Sequence, residues 1–173
     1  MSPDIFITDF ERTENSDELH AILGRALIIA TRFDSMCEAA ATGLELKKGI
    51  VSTASMTESE YSGYLQKITS KYRTLNGNIK SIGLPEDISV VLHDARKARN
   101  TVAHDLSKGL EGCLDTKIDE LGFVRQVSEL MIDIAYGDIA ISYIVSLFNR
   151  DPCPNSRFIS SYKDRIVQWV VEP

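Results

Sequence analysis

The sequence predicts an all-α protein: an up-and-down bundle of four long helices with short terminal elements. Two observations carry this expectation. Apolar residues recur at three- and four-residue spacing along four long stretches, and each stretch is bounded by capping residues, glycine or proline. No repeat, low-complexity tract or linker divides the chain, so residues 1–173 read as a single domain.

Residues 1–16 have no clear period and read as an N-terminal arm. From Asp17, the residues Leu19, Ile22, Leu23, Ala26, Ala30, Phe33, Cys37, Ala40 and Leu44 form one stripe. Ser16 or Asp17 suits the cap of this helix, and Gly43 or Gly49 its end, giving a length of about 28 residues. Residues 49–57 read as a loop. Thr57 and Glu60 then form a capping box, each side chain serving a free amide of the first turn. The second helix runs through Tyr61, Tyr64, Leu65, Ile68, Tyr72, Leu75 and Ile79, and stops near Gly83 before Leu84-Pro85.

The third helix starts at Pro85-Glu86-Asp87, where proline and acids suit a helix N-terminus, and continues to about Asp105. Residues 109–123 are a connector that reads as loop or small hairpin. The fourth helix, about Val124 to Asn149, has a main stripe of Val127, Leu130, Met131, Ile134, Ile141, Val145 and Phe148. Its other side is also apolar, with Ile132, Tyr136, Ile139, Tyr143 and Leu147. A helix apolar all round needs cover on both sides, which predicts a homodimer. Asp151-Pro152-Cys153-Pro154 breaks the chain, and the tail, 156–173, reads as a short helix or strand packing back on the body.

Composition narrows the function classes. Hydrophobic residues make up 43% and charged residues 25%, as in an ordinary globular domain rather than a disordered chain. No uninterrupted apolar run reaches the roughly 18 residues of a membrane span, and the first residues lack signal-peptide character; the expectation is a cytoplasmic protein with no membrane partner. Three widely spaced cysteines and three histidines match neither a disulfide framework nor a zinc-ligand spacing, so no metal and no cofactor are expected. The net charge of −6 argues against unselective coating of nucleic acid. Residues 64–108 nevertheless carry eight basic against four acidic residues, a local balance of +4, while the remainder stands at −10.

The chemistry-bearing residues concentrate on the third helix. Ile88, Leu92, Ala95, Val102 and Leu106 form its core stripe, and Arg99 sits within that stripe, where a guanidinium needs a carboxylate or an anion. His93, Lys97, Asn100 and His104 line the opposite face at spacings of four, three and four. Asp138 on the fourth helix and Asp34 beside the core stripe of the first are the candidate charge partners for Arg99 or a nearby base.

Arg99-Asn100-Thr101-Val102-Ala103-His104 resembles the defining motif of the HEPN superfamily, an arginine, a polar residue and a histidine a few positions on. The resemblance implies a homodimer with the motif helix at the interface, and a metal-independent RNA endonuclease. It implies that Arg99 holds the scissile phosphate, that His104 acts as general base or acid, and that Asn100 orients one of them. The expected products are a 2′,3′-cyclic phosphate and a 5′-hydroxyl. His93, Arg96 and Lys97 are weaker candidates for guiding substrate. A toxin or antiviral defence effector, with an antitoxin or regulatory protein as partner, fits this reading. The alternative is a non-catalytic HEPN-like module that binds RNA, nucleotide or a protein, as transcriptional-regulator-like relatives do. One geometric demand follows from the motif: on a straight helix Arg99 and His104 stand about 140° apart. A bent helix, a swung arginine or a composite dimer groove would have to join them.

Overall fold

The computed structural model describes residues 14–53, 56–70, 74–106 and 119–172. All regular structure among them is helical, in six helices: α1 (Glu14–Thr53), α2 (Glu58–Thr69), α3 (Leu75–Ile82), α4 (Glu86–His104), α5 (Glu120–Asn149) and α6 (Ser156–Val171). Most of the N-terminal arm and most of the 109–123 connector lie outside the described residues.

Two expectations need correction. The first helix is 40 residues long, beginning upstream of Ser16 and passing through both Gly43 and Gly49. Gly49 is a contact point rather than a stop. A Cβ there would fall on the Tyr64 ring of α2, whose hydroxyl donates to the Glu45 carbonyl at 3.3 Å. The second helix is two helices. Thr69 Oγ1 donates back to the Leu65 carbonyl, Ser70 ends α2, and Thr74 starts α3 by accepting from the Gly77 amide at 3.1 Å. Serine and threonine here compete with the helix for backbone groups, which outweighs the continuing apolar period. The tail resolves to a helix, because Asn155 accepts from the Phe158 amide and caps it.

The capping box of α2 is present as read, with Glu60 accepting from the Thr57 amide at 2.8 Å. That bond holds the Glu60 carboxyl below its ordinary pKa. Between α3 and α4 the chain turns at Gly83, whose φ of 70° lies in the left-handed region that favours glycine. Asp119 caps α5 by accepting from Gly122 at 2.9 Å.

α5 is the central element, packed against α1, α4 and α6. The core joins Ile22, Phe33 and Cys37 of α1 with Leu92, Ala95 and Val102 of α4, Val127, Met131, Ile134 and Ile141 of α5, and Val170 of α6. The predicted stripes of the first, third and fourth helices supply most of it. α4 crosses α5 at very short range: a Cβ on Gly137 would stand 2.3 Å from Ala95 Cβ and 2.9 Å from Phe33 Cε2. Three helices meet there, and only a hydrogen fits.

Beside that crossing lies a buried polar clip. Asp138 is 1% exposed, and its Oδ2 accepts from Arg32 Nε at 3.1 Å and from the Tyr162 hydroxyl. The clip ties α1 and α6 to α5. Burial, followed by the bond to Asp138, pushes the Tyr162 phenol up to about 12. A second tie runs from Arg25 Nε to the Val170 carbonyl at 2.7 Å. By length and composition α5 could cross a bilayer; in this fold it packs against three helices and carries Asp138 in that clip. On its outer side Tyr136, Tyr143 and Leu147 are exposed and Ile132 and Ile139 half-buried.

Two outcomes follow. Gly137→Ala gains helix propensity of about 1 kcal/mol but must push α4 and α5 apart, so a net loss of about 1–3 kcal/mol is expected in chemical denaturation. Arg32→Ala leaves the Asp138 carboxylate buried without its cation and should cost about 3 kcal/mol, whereas adding Asp138→Asn should recover much of that loss. Equal stability of the single and double variants would contradict this account of the clip.

Candidate functional site

The close approach of α4 to α5 fixes how α4 is rotated. Ala95, Ala98 and Val102 are buried, and Asp94 sits near Asp133 of α5. The Asp133 carboxyl is raised, first by burial and then by Asp94 and Glu129, with Lys97 opposing. Lys97 itself is exposed and pairs with Asp94 at 2.8 Å. That edge of α4 is therefore a solvated charge cluster shared with α5.

The opposite edge of α4 faces α1 and α3. There Arg99 Nη2 donates to Asp34 Oδ2 at 2.6 Å, and Arg99 Nη1 donates to Asn100 Oδ1 at 3.3 Å. Both members of the ion pair are largely enclosed, with the Arg99 side chain 25% and the Asp34 side chain 30% exposed. The guanidinium that stood on the core stripe has met its carboxylate from α1. Asp138, the other candidate partner, is engaged by Arg32 and Tyr162 instead.

Arg99, Asn100 and Asp34 line a cleft of about 410 Å³ together with Arg96, Asn78 and Glu38. Thr31, Ser35, Thr74 and Asn76 add further polar groups to the wall, and Leu75 an apolar one. Two groups in it have unused hydrogen-bonding capacity. Asn78 is 1% exposed and its Oδ1 has no partner; Arg96 Nε is enclosed and also unpartnered. Both atoms are shut off behind the cleft wall, and leaving them unpaired there costs free energy.

The predicted site residues thus divide. Arg96, Arg99 and Asn100 meet in the cleft, and Lys97 lies on the other edge of α4. His104 is exposed in the last turn of α4 and is absent from the cleft lining. α4 is helical without interruption through the motif, and the arginine swings toward Asp34 rather than toward the histidine. On the helical projection His104 stands about 40° beyond Asn100 and about 20° from Lys97, turned away from the cleft toward the Lys97 edge. His93 is half-buried with an enclosed, unpartnered Nδ1. The contributions of Asn78 and Glu38 had no sequence signal, since each is a single polar residue on a helix whose orientation toward α4 only packing determines.

The Asp34–Arg99 pair generates a direct expectation. Asp34→Ala leaves a three-quarters enclosed guanidinium without its anion and should lower stability by about 1–2 kcal/mol. Asp34→Asn, which can still accept one hydrogen bond, should cost less. The denaturation midpoints of the two variants order these losses, and the reverse order would contradict the pairing.

Compared with known protein families, with curated proteins and with solved structures, the chain gives no match in any of the three.

Proposed function

We propose that this protein is a metal-independent RNA endonuclease that acts as a homodimer, cutting by attack of the ribose 2′-hydroxyl to leave a 2′,3′-cyclic phosphate. The observation that carries this reading is the division of the motif: Arg99 and Asn100 line a cleft, while His104 stands exposed outside it on the same helix. One chain alone therefore has the phosphate-binding group without a facing imidazole. Two chains related by a two-fold axis can supply each other's missing half, so that Arg99 of one protomer works with His104 of the other.

The chemistry suits these residue types. Arginine stays protonated and its planar fork binds two phosphate oxygens, stabilising the charge that grows on phosphorus-bound oxygen in the transition state. Histidine, with an ordinary pKa near 6.5, is available as base for the 2′-hydroxyl and as acid for the leaving 5′-oxygen. The exposed apolar residues of α5, Tyr136, Tyr143 and Leu147, are the face we assign to the subunit contact. The similarity of Arg99–His104 to the HEPN motif supports the same reading, and we extend it to a toxin or antiviral defence role with a separate protein that restrains it.

A second reading, a non-catalytic HEPN-like module that binds RNA, nucleotide or protein, is favoured by one observation. Arg99 already has a carboxylate at 2.6 Å, so a phosphate must compete with Asp34. The two readings part in one assay. For the nuclease, purified protein cuts RNA in EDTA, and Arg99→Ala and His104→Ala each lower cutting by about 100-fold or more. Mixing the two inactive variants restores part of the activity, because a mixed dimer retains one composite site. Cutting that requires a metal, or that persists in both variants, rules the nuclease out. RNA binding without cutting, unchanged in His104→Gln, establishes the second reading.

A further inference from the structure

A larger cleft lies at the opposite side of α1 from Asp34, along α6. It measures about 690 Å³, within the size range of small-molecule sites, and its wall differs in kind from that of the motif cleft. Three aromatic rings, Phe158, Tyr162 and Trp169, share the wall with two guanidiniums, Arg25 and Arg165. Trp169 is 49% and Phe158 38% exposed, so two broad apolar faces stand in water. The Phe158 and Tyr162 rings pack at 5.4 Å between centroids, and the Arg165 guanidinium lies over Phe158 at 5.8 Å.

The charges in this cleft are not balanced. Among the described residues, no carboxylate pairs with Arg25 or Arg165. Arg25 spends its Nε on the Val170 carbonyl, which fixes the guanidinium at the cleft wall. The lining carboxylate, Glu172, accepts from Gln168 Nε2 at 2.8 Å. Two cations, Arg25 held by its Nε and Arg165 exposed, against the single carboxylate of Glu172 leave a positive surplus at the wall in a chain of net charge −6. A ligand that satisfies this wall is flat and aromatic on one side and anionic on the other. Stacking on indole or phenyl covers the exposed rings, and the guanidiniums take the charge.

We propose that the α6 cleft is a second binding site that takes a nucleotide unit, its base stacked on Trp169 and its phosphate held by Arg165 and Arg25. The site serves either a free nucleotide or one residue of a single strand, since both present the same base and phosphate. It uses no residue of the Arg99–His104 motif and stands whether or not the protein cuts RNA.

Trp169 is the single tryptophan of the chain, so its fluorescence reports this site directly. The native protein is titrated with AMP, with a 2′-O-methylated oligoadenylate that cannot be cut by 2′-hydroxyl attack, and with inorganic phosphate. Saturable quenching by AMP assigns the site to free nucleotide, and quenching by the oligomer alone assigns it to single strands. Phosphate alone should leave the emission unchanged. Arg165→Gln should weaken binding by about tenfold and flatten its salt dependence. Anisotropy of a labelled oligomer extends the test to Trp169 variants: Trp169→Phe should retain binding, and Trp169→Ala should lose about tenfold. Absence of saturable quenching by either nucleotide overturns the proposal, as does equal binding by Arg165→Gln. Emission that shifts with protein concentration without ligand also overturns it, because a second copy of the chain then covers the cleft.

Discussion

The arrangement of this protein depends on the absence of a side chain at Gly137. α4 and α5 approach so closely at Ala95 that a methyl group on Gly137 would overlap both Ala95 and the Phe33 ring. That contact sets the depth and rotation of α4. With Ala95, Ala98 and Val102 turned into the core, Arg96, Arg99 and Asn100 are left on the edge toward α1 and α3. The site is thus a consequence of how tightly two helices pack, and Arg99 meets Asp34 because α1 lies alongside that edge.

The polar groups inside the bundle follow the cost of burying charge. Asp34 and Asp138 are both carboxylates in or beside the core, and each has an arginine. Between them Cys37 is fully enclosed, and its thiol is pushed up to about 12, first by burial and then by the two carboxylates. A thiol in that setting stays protonated and acts as a small apolar group. The clip of Arg32, Asp138 and Tyr162 has a further effect. It fixes α6 against α5 and α1, and so holds the aromatic and arginine side chains of the α6 cleft on a rigid helix rather than a loose tail.

The two clefts divide the molecule's chemical capacity. The one at Arg99 is rich in amides, hydroxyls and opposed charges, with an enclosed acceptor on Asn78 and an enclosed donor on Arg96. The one on α6 is aromatic with surplus positive charge. The overall negative charge of the chain restricts polyanion binding to places where cations cluster, which favours selective over unselective contact.

Much of this was legible in the chain itself. The apolar period of the first, third and fourth stretches identified the helices and most of the core, because a stripe of buried residues has the same signature whatever covers it. The excess apolar side of α5 and the arginine on the α4 core stripe were also visible, as was the candidacy of Asp34 and Asp138 as charge partners for Arg99 or a nearby base. Local rules failed where tertiary contacts intervened: Gly49 was a packing position rather than a stop, and serine and threonine near residue 70 divided a helix that the apolar period continued. Pairing was beyond them altogether. Which carboxylate met Arg99, which edge of α4 faced α1, and where His104 stood relative to the cleft were decided by one close helix crossing, and that crossing is a contact between residues distant in sequence. Periodicity along a chain fixes what a helix will bury; only the packed neighbours fix the direction in which the rest of it points.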